Sequence, residues 1–300
     1  SAKRGWFTRK KSASSLEKLL QTSPIFPGIP LHVCTEDVPR DEIDKVRIPF
    51  PVHIRDTSLA RKNKSKSLGD LGMQISATKK LSVSCGSSLD QGKRDYMEDR
   101  LSIIENLLDN ESAQQIKYFA IFDGHAGSRA ADIAQGNLHN MVKEHPDVES
   151  GDLKEILKDV LKAQDKYIIE KGTEEGWTEG SCVSIVLLRG KTLFSANLGD
   201  SHMILAHRNN LSYTMTPIRI SETHKATEEA EKQRISKAGG MVMRGRVFGD
   251  LSISRALGDL NYKIPKQEAD YVSSDAFVKE IALTDEHIFV ILASDGLWDK

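Results

Sequence analysis

The sequence is short of cysteine and of long apolar runs, and each shortage excludes a class of protein. Its three cysteines, Cys34, Cys85 and Cys182, are widely separated and form no C-x-x-C pair. A disulfide framework is therefore excluded, and a reducing compartment is the default for such a chain. Apolar runs such as Ile288–Ala293 reach only six residues, whereas a transmembrane helix needs roughly 20. We therefore expect no membrane span and a cytoplasmic or nuclear location.

Proline is scarce after the first part of the chain, since six of the nine prolines lie between Pro24 and Pro51. Residues 1–80 hold 16 Lys and Arg against 8 Asp and Glu, whereas the remaining residues hold 26 against 35. Frequent proline opposes helices and central strands. We predict a basic, Pro- and Ser-containing leader over residues 1–80, extended or partly disordered, and a globular domain over residues 81–300.

Two interpretations of the leader stay open. Its basic-serine runs, Arg9–Ser15 and Arg61–Ser67, suit a docking partner or a kinase, but a solvated tail without a partner has the same composition. The acids within Glu36–Asp44 disfavour a mitochondrial presequence. A short helix near Leu16–Leu20 and a strand-like stretch, Val46–Ile54, are its only structural signals. The net charge of −1 and the absence of interleaved aromatics argue against a nucleic-acid partner.

The rest of the chain alternates between strand and helix patterns. Apolar runs predict strands at Lys117–Phe122, Cys182–Leu188, Thr192–Leu198 and His287–Ala293. Helical spacing predicts a helix over Ala130–Val142 behind the N-cap Ser128, a second from Asp152 with Glu155 three residues on, and a third over Glu228–Ala238. Met203–Ala206 is predicted to continue the sheet of the preceding two strands. This order favours a layered α+β fold over a strictly alternating parallel sheet.

Acidic residues recur where an apolar strand gives way to a turn or helix. The four segments are Met97–Asp99, Phe122–His125, Leu198–Ser201 and Ser294–Asp299. A carboxylate after a buried run is unfavourable unless a cation neutralises it. Hard oxygen ligands from separate strand ends are what Mg²⁺ or Mn²⁺ requires. Taken singly, however, an Asp-Gly after a strand is usually a turn, and only the joint occurrence favours a metal site.

This pattern predicts specific roles for its neighbours. Two such ions can acidify a bridging water that attacks phosphorus in line. The carbonyl oxygen of Gly124 could serve as a further ligand, since a glycine lets the backbone approach closely. His125, two residues after Asp123, is placed to protonate a leaving oxygen, and the forked guanidinium of Arg94 suits phosphate.

Seven segments together resemble the type 2C, metal-dependent Ser/Thr protein phosphatases, the PPM family, in the family's order. They are RDYMEDR (Arg94–Arg100), FDGHAG (Phe122–Gly127), GSCVSIVLL (Gly180–Leu188), NLGDS (Asn197–Ser201), RISKAGGMV (Arg234–Val242), LSISRALGD (Leu251–Asp259) and SDGLWD (Ser294–Asp299). The resemblance covers roughly residues 81–300. It implies a β-sandwich of two antiparallel sheets flanked by helices. It also implies two Mg²⁺ or Mn²⁺ ions, a third weaker site, and phosphoserine and phosphothreonine hydrolysis without a phosphoenzyme.

The resemblance assigns roles residue by residue. The implied metal ligands are Glu98, Asp99, Asp123, Gly124 through its carbonyl, Asp200, Asp295 and Asp299, and the implied catalytic residues are Asp123, Arg94 for phosphate and His125 as general acid. Arg244 and Arg246 fall in the region of the family's flap, where substrate contact and a solvated loop are equally good interpretations. The implied partners are phosphoprotein substrates of a monomeric enzyme.

The sequence departs from the family at three places. Thr223 and Ala226 flank His224 and Lys225 where the family usually has Asp-His-Lys-Pro, and His202 stands where it often has arginine. Lys300 directly follows SDGLWD, so the expected closing strands and their metal-ligating G-x-x-D-N motif are absent. The domain over residues 81–300 is thus expected to be incomplete at its C-terminus. A catalytically impaired or truncated protein-binding regulator is the alternative to a working phosphatase.

Overall fold

The computed structural model describes residues 81–108, 115–212, 214–263 and 270–299, together with the backbone of a strand at Val52–Arg55. Two antiparallel sheets stack against each other in this part of the chain. The predicted α+β class, with antiparallel sheets flanked by helices, is confirmed. No described helix combines the length and the apolar character that crossing a membrane requires.

The first sheet carries the helices on one face. Its strands are β3 (Asp99–Ile104), β4 (Ile116–His125), β5 (Gly180–Arg189), β6 (Thr192–Leu198) and β12 (Phe277–Ala282), in the spatial order β12-β6-β5-β4-β3. A two-residue strand, β11 (Leu257–Gly258), adds to the end of β5 beyond the point where β6 stops. The predicted pairing of β5 with β6 is confirmed.

The second sheet has the order β2-β1-β13-β7-β8. Its strands are β1 (Val52–Arg55), β2 (Ser82–Ser84), β7 (His202–Arg208), β8 (Met215–Arg219) and β13 (His287–Ala293). The prediction that Met203–Ala206 continues the sheet of β5 and β6 was wrong, because β7 pairs with β13 and β8 instead. Between β6 and β7, Gly199 takes a φ of +97°, and the chain passes there from one sheet to the other.

One strand of the second sheet comes from the basic leader. β1 lies between β13 and β2, with Val52 opposite Val290 and His53 opposite Phe289. The last part of the strand-like stretch Val46–Ile54 therefore covers an edge of β13. Residues 46–51, the helix expected near Leu16–Leu20 and the serine runs lie outside the described residues.

Three helices of two or more turns lie among the described residues, with one short helix at the end. They are α1 (Arg129–Lys143), α2 (Leu153–Glu175), α3 (Glu229–Lys237) and the single turn α4 (Asp295–Trp298). Asp152 caps α2 as predicted, since its carboxylate accepts a hydrogen bond from the N–H of Lys154. Ser128 stands at the N-cap of α1, but its hydroxyl donates to Asp132 and Glu179 accepts from the N–H of Arg129 instead.

Remaining short strands form a separate hairpin near α3. They are β9 (Val242–Met243) and β10 (Arg246–Val247), which pair antiparallel. The turn between them holds Arg244 and Gly245, both at positive φ. This hairpin lies within Gly240–Ser254, the region that the family resemblance predicts as a flap.

The core has two layers, one on each face of β4 and β5. Tyr118 and Phe122 on β4 pack with the helices, whereas Phe119 faces the second sheet. Burial on both faces explains why these strands are continuous apolar runs without polar alternation. Each such large side chain contributes about 2–3 kcal/mol when fully buried. The resulting rigid strands fix the positions of the acidic residues at their ends.

Candidate metal centre

Four aspartates meet where strands of the two sheets end. Asp99 begins β3 and lies opposite Asp123 near the end of β4. Asp200 follows β6, and Asp295 opens α4 directly after β13. We call Asp99, Asp123, Asp200 and Asp295 the aspartate cluster. The fold thus brings together carboxylates that are up to 196 positions apart in the sequence.

The cluster carries more negative charge than its surroundings compensate. Burial, and then the charges of Asp99, Asp295 and Asp200, raise the pKa of Asp123 to about 7. Burial and the neighbouring carboxylates also raise the pKa of Asp295. A bound divalent cation would remove this penalty.

A compact donor set surrounds Asp123. Its carboxylate, the Asp200 carboxylate and Cys182 Sγ offer ligand atoms that all lie within 4.8 Å of one another. Carboxylate oxygens are ligands that Mg²⁺ and Mn²⁺ prefer. The residues present therefore fit a divalent metal site.

Hydroxyl and thiol groups hold these carboxylates in place. Ser294 donates to Asp99 at 2.8 Å and Ser201 to Asp123 at 3.4 Å. Cys182 lies opposite Asp123 on β5, and its thiol points to Asp200 at 3.6 Å. Burial raises the pKa of Cys182 well above its ordinary value, so the free thiol stays protonated at neutral pH.

Glu98 and Gly124 form one tight junction beside the cluster. Glu98 accepts a hydrogen bond from the N–H of Gly127 at 2.8 Å. A Cβ on Gly124 would lie 2.6 Å from the Glu98 carbonyl oxygen, so only glycine fits there. The backbone of Gly124 is consequently placed next to Asp123 and Glu98, as a carbonyl ligand would have to be.

The other two predicted catalytic side chains, Arg94 and His125, differ in their surroundings. The Arg94 side chain is 82% exposed and approaches Glu98 at 3.8 Å, so its guanidinium stands at the rim. His125 is partly buried at the end of β4, and its Nε2 lies 2.8 Å from Asp259 Oδ1. Burial alone would lower the pKa of His125, but Asp259, Asp123 and Glu98 together raise it.

Asp299 stands at the edge of the site. Its side chain is 63% exposed, and Lys225 Nζ lies 3.6 Å from it and 3.4 Å from Asp200. The lysine is therefore a local counter-charge for the outer part of the site.

Arg244 and Arg246 do not join this arrangement. Arg246 donates to the carbonyl of Asp250, which follows its own hairpin. Among the described residues, no hydrogen bond or ion pair connects either arginine to the aspartate cluster. Their role in substrate contact stays a prediction.

Comparisons with known proteins point to one family. A family model described as protein phosphatase 2C matches residues 83–300. The chain is 36% identical over 218 residues to "Protein phosphatase 2C homolog 3" of Schizosaccharomyces pombe, which covers 71% of the chain and 51% of that protein. It is 32% identical over 252 residues to "Protein spalten" of Dictyostelium discoideum, covering 80% of the chain and 25% of that protein.

The chain belongs to the protein phosphatase 2C family. It spans between a quarter and about half of the length of these curated relatives. A solved structure, serine-threonine phosphatase 2C from Toxoplasma gondii, shares the fold with a TM-score of 0.62 at 21% identity, covering 69% of this chain and 76% of that one.

Sequence reasoning missed several residues of this protein phosphatase 2C site. The local pattern around Cys182 predicts only a strand. Lys225 and Asp259 lie in segments that are compared with the family, but no role is predicted for either. The contacts of all three depend on long-range pairing, which a local pattern does not reveal.

His202, which stands where the family often has arginine, packs against Trp298 and is uncharged. Its ring lies 5.9 Å from that of Trp298 in a tilted contact. Burial, followed by the charge of Arg219, lowers the pKa of His202 to about 4. The imidazole is therefore neutral at physiological pH and does not replace the charge of an arginine.

Proposed function

We propose that this protein is a metal-dependent phosphatase that hydrolyses phosphoserine and phosphothreonine in protein substrates. The supporting observation is the aspartate cluster, whose central member, Asp123, has a pKa raised to about 7 by burial and by its acidic neighbours. Such a concentration of carboxylates suits a binuclear cation site better than a structural role.

Mg²⁺ or Mn²⁺ is the metal class that this donor set favours, since its ligands are mainly carboxylate oxygens. Two ions would be held by Asp123, Glu98, Asp99, Asp295 and the Gly124 carbonyl. Asp200 and Asp299 would hold a weaker third ion. When bound, such ions neutralise phosphoryl charge and lower the pKa of a water that attacks phosphorus.

The chain's own residues supply binding and proton transfer. The exposed guanidinium of Arg94 would bind the substrate's phosphate oxygens as it enters. As the bond from phosphorus to the serine or threonine oxygen breaks, His125 would give a proton to that oxygen. The products are the free hydroxyl side chain and inorganic phosphate.

The test is hydrolysis of a phosphothreonine peptide and of p-nitrophenyl phosphate, with Mn²⁺ or Mg²⁺ and with EDTA. We expect activity only with metal, and a loss of about a thousandfold or more in Asp123→Asn, because several kcal/mol of charge stabilisation disappear. The matched control is Asp159→Asn, an aspartate exposed on α2, which should retain full activity.

A second readout separates catalysis from binding. Mn²⁺ binding, followed by the loss of the free-ion electron paramagnetic resonance signal, should weaken in Asp123→Asn but not in Asp159→Asn. A folded protein that binds Mn²⁺ and hydrolyses neither substrate would contradict the proposal. That result would favour the protein-binding regulator instead.

A further inference from the structure

Asp259 is a buried carboxylate whose only described side-chain partner is His125. It is 3% exposed, and its Oδ1 lies 2.8 Å from His125 Nε2. Its other oxygen, Oδ2, is buried without a hydrogen-bond partner among the described residues. Burying a carboxylate with one unpaired oxygen costs free energy, so the retention of this group calls for an explanation.

The backbone is arranged to bring this pair together. His125 on β4 lies opposite Gly180 on β5, and Gly258 on β11 lies opposite the same glycine from the other side. A Cβ on Gly180 would lie 2.4 Å from His125 Nε2 and 2.5 Å from Asp259 Cγ. The glycine therefore leaves the space in which the imidazole and the carboxylate meet.

Asp259 also adopts an uncommon backbone conformation. Its φ is +58° and its ψ is +51°, a left-handed geometry that is uncommon for residues other than glycine. Its N–H is bonded to the Glu179 carbonyl, and the adjacent Gly258 N–H is held by buried Asp165. Asp165 is in turn paired with Lys263 at 2.7 Å. This anchored, strained turn aims the Asp259 side chain at His125.

We propose that Asp259 is the positioning residue for His125 in the phosphatase reaction, an inference that rests on the proposed function. Its carboxylate accepts the Nε2–H, fixes the ring plane and leaves Nδ1 to face the leaving oxygen. During the reaction Nδ1–H passes its proton to the serine or threonine oxygen as the P–O bond breaks. The Nε2–H remains on the ring and Asp259 stays ionised, so its role is orientation and charge support.

Leaving-group dependence tests this role, because a good leaving group needs no proton. The experiment compares kcat/KM for phenyl phosphate and dinitrophenyl phosphate in wild type, Asp259→Ala, Asp259→Asn and His125→Gln. Asp259→Ala should lose about a hundredfold on phenyl phosphate, the lower range for general acid catalysis, and only a few-fold on dinitrophenyl phosphate. Asp259→Asn retains an acceptor oxygen and should lie between wild type and Asp259→Ala.

Two comparisons make the result specific. Adding Asp259→Ala to His125→Gln should cause little further loss, since residues that act as a unit are not additive. The matched control is Glu231→Gln, at a buried carboxylate outside this turn that pairs with Arg234 and Arg255, which should lower thermal stability without selective loss on phenyl phosphate. Equal losses on both substrates in Asp259→Ala, or selective loss in Glu231→Gln, would overturn the inference.

A measurement on the wild type covers the case in which the variants do not fold. In the neutral ring of His125, nitrogen NMR should find the proton on Nε2, where Asp259 accepts it, and a proton on Nδ1 alone would overturn the inference. A wild-type protein that hydrolyses neither aryl phosphate contradicts the proposed function itself. Activity without leaving-group-dependent loss contradicts only the role of Asp259.

Discussion

Two of the regions in which the molecule buries carboxylates treat them in opposite ways. In the aspartate cluster, like charges face one another, and the pKa of Asp123 rises to about 7. The second region, which we call the glutamate network, holds Glu231 between Arg234 and Arg255. Burial alone would raise the pKa of Glu231, but hydrogen bonds from Arg255 and the two positive charges lower it to about 2. The glutamate network contains its own cations, whereas the aspartate cluster is an excess of negative charge that suits a bound cation.

The contacts of the two arginines explain why the glutamate network needs no added cation. Arg255 reaches Glu231 at 2.6 Å and also donates to the Asp275 carbonyl. Arg234 donates to Glu231 at 3.0 Å and to the carbonyls of Asp270, Ser254 and Tyr271. The network thereby ties α3 to two neighbouring segments of the chain. The glutamate network therefore has a structural role, whereas the aspartate cluster, whose charge is not compensated, is suited to binding cations.

The largest effect on stability should come from breaking the glutamate network. Glu231→Gln leaves two partly buried guanidinium groups without their shared carboxylate, and we expect a loss of about 3 kcal/mol in the free energy of unfolding. Urea unfolding followed by circular dichroism measures it. Glu170→Gln, at an exposed glutamate on α2, is the matched control and should change stability by less than about 0.5 kcal/mol. A loss as small as the control's would mean that the network is dispensable.

At the aspartate cluster, metal binding should raise the stability of the protein, whereas removing one of the negative charges should not lower it. At a Mn²⁺ concentration about 100 times the Kd, binding should stabilise the wild type by about 2.7 kcal/mol. In EDTA, Asp123→Asn should be at least as stable as the wild type, because it removes like-charge repulsion. Thermal unfolding of both proteins with Mn²⁺ and with EDTA measures the difference. Equal stabilisation of the two proteins by Mn²⁺ would show that the ion binds elsewhere.

Lowering the pH should reduce the stability that the glutamate network contributes, over an interval set by the two pKa values of Glu231. The folded-state pKa of Glu231, about 2, lies below its ordinary value of 4.5. Its contribution is therefore fully present above pH 4.5 and is lost as the pH falls from there through about 2. The stability difference between wild type and Glu231→Gln should narrow over that interval. A difference that stays constant down to the acid limit of the folded state would contradict a depressed pKa.

Sequence patterns predict these two regions unequally. The apolar runs that end at Asp123 and before Asp295 are local features, so the positions of these acids at strand ends could be predicted. The register that sets Asp99 opposite Asp123 is a long-range pairing, as is the passage of β7 into the second sheet. Neither follows from local periodicity. Glu231 and Arg255 are 24 positions apart, and nothing in either neighbourhood predicts their contact.

Lys225→Gln is the substitution with the smallest expected effect. Lys225 is the positively charged side chain that partly compensates the aspartate cluster. Its ammonium lies 3.4 Å from Asp200 and 3.6 Å from Asp299, where it neutralises charge that a bound cation would otherwise meet. Lys225→Gln should therefore tighten Mn²⁺ binding a few-fold, while lowering the stability of the metal-free protein by less than about 1 kcal/mol.

Calorimetric titration with Mn²⁺ measures this change, with Lys232→Gln on α3 as the control, since Lys232 pairs only with exposed Glu229 among the described residues. Weaker binding in Lys225→Gln would reverse the interpretation. The lysine would then serve to hold Asp200 and Asp299 in place for the ion, and the aspartate cluster would be partly pre-assembled by its own cation, as the glutamate network is by its arginines.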